Sequence, residues 1–391
     1  MPKVDVVNEV PIARSFRVDQ AAGMFDVSLE DKSRVRIRGE VPGVDEDWTL
    51  GAIIGPSGSG KGTVARTVYG ADFLEQLPER SSPFDWDRDA AIVDGFGDDA
   101  DLRQVTALLG SVGLASPPAW VRPYRVLSTG QRFRADLARA LMLDRELVVF
   151  DEFGGTVSED VANVCAATVA KSVRKGRGKV KRFVAVGARD NFVDWLDPEW
   201  VLDMRTEPGR LTWRARGSVR RGRGERGGSA PGKPGRPGGG RPGIEFGVWR
   251  GSRSAWPLFR GHHYLSSRLN KSARVYLARV RLPGREDWET VGFCATLNNA
   301  GFKGYRMVHR LVVLPDWQGL GLGPRLLDRV AEVEAVTGPV SIRTSHPGLI
   351  GYLDRSERWR FHSQYDGTAP QRGFKNAGSF GRVTAGFMWR G

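Results

Sequence analysis

Two glycine-rich stretches in this 391-residue sequence have the composition of phosphate cradles. The first is "GPSGSGKGTVA", from Gly55 to Ala65, in which Gly55, Gly60 and Lys61 satisfy the spacing G-x-x-x-x-G-K. Glycines let a backbone turn aim its N–H groups at phosphate oxygens. The lysine neutralises the terminal phosphates, and a following helix adds the positive end of its dipole. Ser57 and Gly58 lie inside the same turn. The hydroxyl that usually follows the lysine to hold Mg²⁺ is replaced by Gly62, and Thr63 beside it is the nearest substitute. The second stretch holds Gln318, Gly319, Gly321 and Gly323 between an apolar run and an amphipathic one. Main-chain N–H groups at such a helix start suit a diphosphate. An apolar run, "LVVF", ends in two adjacent carboxylates, Asp151 and Glu152.

The elements that must position these residues can be read from periodicity. "WTLGAIIG" is a buried strand that leads into the first glycine turn, and "GTVARTVYG" is the helix after it. "AAIVDGF" reads as another strand and "DLRQVTALLGSVGL" as a helix. Ser128 caps the helix of "STGQRFRADLARALML", and Ser158 caps that of "SEDVANVCAATVAKSVRK". "ELVVFDEF" and "RFVAVGA" are buried strands. Alternating strands and helices predict an α/β domain with a largely parallel sheet over residues 1–205. Residues 206–243 are rich in Gly, Pro and Arg and read as an extended linker. Residues 244–391 alternate again: strands at "EFGVWR", "RVYLARVRL", "WETVGFCAT", "YRMVHRLVVLP", "VSIRTS" and "GRVTAGFMWR", with helices at "AWPLFRGHHYLSSRLN", "GPRLLDRVAEVEAVTG" and "GLIGYLDRSERW". This is a mixed α/β domain.

Composition narrows the setting. Residues 1–205 carry 27 Lys/Arg against 32 Asp/Glu, whereas residues 206–391 carry 32 against 13. A charge asymmetry of that kind points to a polyanionic partner for the second half, with nucleic acid the leading class. The two cysteines, Cys165 and Cys294, form neither metal spacing nor a disulfide framework. No apolar run approaches the roughly 18 residues of a membrane span. The charged beginning lacks a secretion signal, so a cytoplasmic protein is expected.

Context gives the first glycine turn an owner. "LSTGQRFRADLARAL" at 127–141 resembles the signature of ABC-type ATPases, and "LVVFDE" at 147–152 resembles their Walker B strand; the three motifs stand in the family's order. The resemblance implies ATP and Mg²⁺ as cofactors, with Asp151 and Thr63 toward the metal and Glu152 polarising the attacking water. It also implies that Ser128, Gly130 and Gln131 meet the γ-phosphate of ATP held by a second copy, making the protein a homodimer through its ABC domains. The sequence departs from the family. Residues 1–205 contain no histidine, so the switch histidine is missing and only Arg189 or Asp190 stands in that region. Thr129 replaces a signature glycine, Ser158 stands at the D-loop aspartate position, and no clear glutamine loop precedes the helical region. These changes imply slow, regulated hydrolysis.

"HRLVVLPDWQGLGLGPRLLDRV" at 309–330 resembles motif A of GNAT acetyltransferases: a strand, Q/R-x-x-G-x-G/A, then a helix. The resemblance implies acetyl-CoA as donor. Its diphosphate would lie on Gln318, Gly319, Gly321 and Gly323, and its pantetheine arm along the main chain of Val312, Val313 and Leu314. His309 takes the strand position of the family's general base, and Tyr352 is the candidate acid for the leaving thiolate. Together the modules, over about 45–205 and 245–390, are similar to soluble ABC-type ATPases fused to a GNAT domain. Three functions remain open. One is ATP-coupled acylation of a nucleic-acid base. Another is protein or small-amine acetylation regulated by ATP-dependent dimerisation. The last is a non-enzymatic nucleic-acid clamp.

Overall fold

A computed structural model describes residues 3–11, 14–25, 32–75, 82–97, 99–206, 209–214, 243–263, 268–298, 304–365 and 384–391. Most of the expected linker, 215–242, lies outside the described residues. Two sheets organise the chain, with a small hairpin in front. The hairpin pairs β1 (Lys3–Pro11) with β2 (Lys32–Glu40), and α1 (Phe16–Phe25) lies between them in sequence. Ile37 of β2 packs so closely on Gly60 that a Cβ there would lie 2.6 Å from the isoleucine side chain. The hairpin therefore backs the first glycine turn.

The first sheet contains β3 (Leu50–Ile54), β4 (Phe73–Leu74), β5 (Leu147–Phe150), β6 (Arg182–Gly187), β7 (Trp200–Asp203) and β8 (Arg210–Trp213), in the order β4-β5-β6-β3-β7-β8. All pairs are parallel except β7–β8. Every residue of β3 and β5 is buried, as the unbroken apolar runs of a doubly covered parallel strand require. The helices are α2 (Lys61–Tyr69), α3 (Leu102–Ser111), α4 (Pro117–Trp120), α5 (Thr129–Met142), α6 (Glu159–Arg174) and α7 (Val193–Leu196). Ser128 and Gln131 close a reciprocal capping box on α5, and Ser158 Oγ accepts from Val161 N on α6. Glu159 and Asp160 in the first turn of α6, with Lys171 and Arg174 in the last, complement its dipole.

The second sheet contains β9 (Glu245–Gly251), β10 (Arg274–Arg281), β11 (Glu289–Asn298), β12 (Arg306–Val313), β13 (Val340–Thr344), β14 (Trp359–Tyr365) and β15 (Thr384–Trp389), in the order β14-β15-β13-β12-β11-β10-β9. Only β12 and β13 run parallel. Helix α8 (Trp256–Phe259) lies against one face, α9 (Leu322–Ala335) crosses the other, and α10 (Pro347–Arg355) precedes β14.

Three local expectations change. Residues Ile92–Phe96 form a 3₁₀ turn and not a strand. The only bridge there joins Ala91 to Pro123, and a proline cannot extend a ladder. The helix expected from Ala255 onward is confined to α8 between 3₁₀ turns at Arg253–Ala255 and Arg260–His262, with Gly261 at the break; 264–267 lie outside the described residues. Strand β8 continues the first sheet to Trp213, beyond the expected domain limit at 205.

Candidate functional site

At the end of β3 the chain turns through Gly55, Gly58 and Gly60, whose φ angles are 156°, 80° and 86°. Gly58 and Gly60 hold the left-handed backbone that L-residues avoid, so the turn needs glycine there. Gly60 caps α2 without a side-chain bond, which leaves the first N–H groups of that helix available to an anion. Lys61 is buried, and its Nζ donates to Pro56 O at 2.8 Å, folding the ammonium over the loop. Burial lowers its pKa, while Glu152 and Asp151 oppose the shift. Ser59 Oγ is buried in the same turn with no hydrogen-bond partner among the described residues. Ser57 and Gly58 are exposed at its tip. An orphaned hydroxyl, open helix N–H groups and a buried cation fit a polyphosphate.

Asp151 follows β5, and its N–H donates to Leu74 O at 3.1 Å, so β4 sets its position. Burial is the main cause of its raised pKa, and the neighbouring Glu152 and Glu75 add repulsion. A cation between Asp151 and phosphate would relieve both. A Cβ on Gly62 would lie 3.6 Å from Asp151 Oδ2, so the missing hydroxyl belongs beside this carboxylate. Thr63 is half-buried, and its carbonyl accepts from Thr67 Oγ1 at 2.8 Å. No group of three or more His, Cys, Asp or Glu side chains among the described residues forms a metal cluster. Glu152 is exposed and sits at φ 51°, a left-handed conformation that costs a non-glycine residue about 1–2 kcal/mol. Glu75 was not singled out in the sequence, because only the short pairing of β4 with β5 brings it to Asp151.

In the region of the missing histidine, Asp190 pairs with Arg205 at 2.8 Å and Asn191 bonds Asn163 at 2.8 Å. Arg189 is exposed. Ser128 and Thr129 are exposed at the start of α5, while the Gln131 side chain accepts from Ser128 N at 3.1 Å and so serves the cap.

The second site rests on a splay. Strand β12 pairs with β11 as far as Val313, but with β13 only over Arg306–Val308. The edge of residues 309–313 that faces away from β11 is therefore not covered by β13. Leu314 N turns to Val291 O at 2.9 Å, while Val313 O accepts from Gln318 Nε2 at 2.9 Å. A 3₁₀ turn at Pro315–Trp317 carries the chain to Gly319 and Gly321, with φ 88° and 83°. Gly321 caps α9 with no side-chain bond, and nothing lies within 4 Å of where its Cβ would stand. A Cβ on Gly323 would lie 3.7 Å from Val313 Cγ2. The open edge and the open helix start fit an extended thioester arm and a diphosphate.

His309 sits at a register irregularity opposite Ala295 and Thr296. Burial, with the adjacent Arg310, pushes its pKa down to about 4. Arg310 Nη1 lies 3.3 Å from His309 Nδ1 and must be the donor, so the imidazole accepts there and carries its own proton on Nε2. Arg310 also donates to Arg268 O at 3.1 Å. Its role is invisible in sequence, where it is one more basic residue of an alternating strand. Tyr352 OH donates to Asp328 Oδ2, and Trp359 Nε1 donates to the other oxygen of that carboxylate at 2.9 Å. Burial and the carboxylate push the phenol up to about 12. The structure thus brings Gln318, Gly319, Gly321, Gly323 and Val312–Leu314 together and ties Tyr352 to α9.

The sequence matches no family model and no curated protein. Solved structures are similar in part. A bacterial ABC transporter cassette solved as a dimer is 14% identical, with TM-score 0.35, over 46% of this chain and 92% of its own. An IAA acetyltransferase from Bacillus cereus is 13% identical, with TM-score 0.27, over 37% of this chain and 99% of its own. A ribosomal-protein-S18-alanine N-acetyltransferase from Escherichia coli is 11% identical, with TM-score 0.28, over 37% and 93%. Among the described residues no helix is long and apolar enough to cross a membrane. The chain is an α/β protein whose neighbours among solved structures include both ABC ATPase cassettes and GNAT acetyltransferases.

Proposed function

We propose that this chain binds and hydrolyses ATP and transfers an acetyl group from acetyl-CoA to a nucleic-acid base. The splay at Val308 carries the acyl-transfer half, because it opens a main-chain edge that leads directly to the uncapped start of α9. Bound MgATP would supply the γ-phosphoryl group, and bound acetyl-CoA the acyl thioester. Lys61 would neutralise the terminal phosphates, Asp151 would hold the metal, and Glu152 would orient a water. With Gly62 in place of a hydroxyl, the first site favours slow turnover. The start of α5, with Ser128 and Thr129 exposed and Gly130 half-buried, is the face for a second copy. His309 is neutral at physiological pH. It acts as an acceptor of protons only if Arg310 moves off Nδ1 as substrate binds.

A basic, aromatic surface favours nucleic acid as the acceptor. Trp249 lies in one cross-strand row with Leu277, Phe293 and Val312, on the face opposite α9, roughly 14 Å from the open edge at three strand spacings. Its ring is 4.9 Å from that of Trp288, with Arg279 5.5 Å over the first and Arg281 5.0 Å over the second. Rings of this kind stack bases, and Arg279 is the arginine placed to reach phosphate, since Arg281 is paired with Glu245 through bonds of 3.2 and 2.5 Å. The test is mass spectrometry of nucleosides from cells with and without the protein, alongside transfer of labelled acetyl groups to DNA, RNA and protein. A new acetylated nucleoside that disappears in Trp249→Ala and Gly321→Glu is expected. Label that goes only to protein would overturn the acceptor, and failure to transfer label at all would overturn the acyltransferase.

A further inference from the structure

The loop on which the second site depends is held from the first unit. Ala115, between α3 and α4, has both main-chain groups engaged across the boundary. Its N–H donates to Gln318 Oε1 at 2.9 Å, and its carbonyl lies 2.8 Å from His346 Nε2. His346 Nδ1 accepts from Leu349 N at 3.3 Å, so Nε2 carries the hydrogen and donates it to Ala115 O. Gly113 and Gly319 meet main chain to main chain. A Cβ on Gly113 would lie 2.8 Å from Gln318 O, and one on Gly319 would lie 2.5 Å from Thr168 Cγ2. Arg285 pairs with Asp160 at the start of α6, through bonds of 3.0 and 3.1 Å. One apolar cluster runs without interruption from Leu50 of β3 to Trp317 and to Leu326 of α9.

Beneath this contact lies Arg134 of α5, whose side chain is 1% exposed. Its Nη1 is shared between Gly130 O at 3.3 Å and Asp316 Oδ1 at 3.5 Å. Its Nε and Nη2 have no hydrogen-bond partner among the described residues. The carboxylate that balances this buried cation is the exposed Asp316, two residues before Gln318.

We propose that the ATPase unit is a working part of the acyl-CoA site, with Gly113, Ala115 and Arg134 as positioning residues, so that phosphate at the exposed start of α5 alters acyl-CoA affinity. The physical route is short. Negative charge arriving at Ser128–Gly130 stands about one helical turn from Arg134 and close to Asp316. It attracts the guanidinium and repels the carboxylate, the two partners that fix Pro315–Trp317 to α5. That turn continues straight into Gln318 and Gly319. The inference rests on the reading of both ligands under Proposed function.

The experiment is calorimetric titration of acetyl-CoA into the full-length protein, with and without Mg²⁺ and a non-hydrolysable ATP analogue. The analogue should shift acetyl-CoA affinity at least about fivefold, and acetyl-CoA should shift analogue affinity by the same factor. In Asp316→Asn each ligand alone should still bind, and the ratio should fall below about twofold. Gly113→Ala should weaken acetyl-CoA without weakening the analogue; if it fails to fold, Asp316→Asn decides. Amide exchange over 315–323 should change when the analogue binds and stay unchanged in Asp316→Asn. Independent binding of the two ligands in the unaltered protein, or full coupling retained in Asp316→Asn, overturns the inference while leaving both sites standing. No acetyl-CoA binding in any protein removes the reading of the second site, and the inference with it.

Discussion

The two sites share one device and differ in everything around it. Gly60 before α2 has φ 86° and ψ 13°, and Gly321 before α9 has φ 83° and ψ 19°; neither helix start has a side-chain cap. Each therefore offers the same left-handed turn and the same free N–H groups. Around Gly60 stand a buried lysine and the carboxylates Asp151, Glu152 and Glu75, each perturbing another. The first turn of α9 holds no acidic residue, and the glycine faces open space. A phosphate that is to be cleaved needs charges poised against its leaving oxygens, whereas one that only anchors a carrier needs main-chain donors alone.

Substitutions can break this comparison. The largest effect is expected from Lys61→Ala, which should lower ATP hydrolysis at least about 100-fold while acetyl-CoA affinity changes little. ATPase assays beside calorimetry check it, and surviving hydrolysis would remove the first site from where it is placed. Gly321→Glu should weaken acetyl-CoA about 50-fold, since it adds like charge and a strained backbone at the diphosphate position. Unchanged affinity would show that the diphosphate lies elsewhere.

A gain of function sharpens the contrast. Gly62→Ser places a hydroxyl beside Asp151 and should raise Mg²⁺-dependent ATP hydrolysis about three- to tenfold. A flat Mg²⁺ titration in that variant would mean that Gly62 does not limit the metal.

A further effect, on stability and not on activity, concerns the helix that links the two sites. Asp136 of α5 is buried, accepting from Ser82 at 2.8 Å and from Trp86 and Tyr124 at 2.7 Å each. Burial outweighs those bonds and raises its pKa to about 6 from 3.8. The folded state thus holds a proton that the unfolded chain has released between those values. Stability should be full below about pH 4 and fall as pH rises through 6, by about 3 kcal/mol in all. Urea unfolding from pH 4 to 7 reads this directly. The same slope in Asp136→Asn would assign it to another group.

Much of this arrangement was legible in the sequence because short-range physics sets it. The glycine turns, the Ser128 and Ser158 caps and the apolar runs of β3 and β5 depend on residues within a few positions of one another. What could not be read depends on distant neighbours. The turn at Ile92–Phe96 follows from Pro123 across the fold, and Glu75 reaches Asp151 only through the pairing of β4 with β5. Tyr352 is a candidate acid by position, but its bond to Asp328 of α9, whose other oxygen accepts from Trp359, depends on partners that its neighbours in sequence do not reveal. Gln318 reads in sequence as a phosphate-loop residue, and the bridge that its side chain makes between Val313 and Ala115 becomes visible only in the fold.

Gly113 and Gly319 carry a consequence for how this protein tolerates mutation. At φ 93° and 88°, with Gln318 O 2.8 Å from where a Cβ on Gly113 would stand and Thr168 Cγ2 2.5 Å from one on Gly319, both positions resist any side chain. A side-chain interface can drift by compensating substitutions on its two faces, but one made of bare backbone has nothing to exchange. The halves of this chain are therefore bound in their histories: a saturation library should be as depleted at Gly113, far from the glycine turn of the first site in sequence, as within that turn itself.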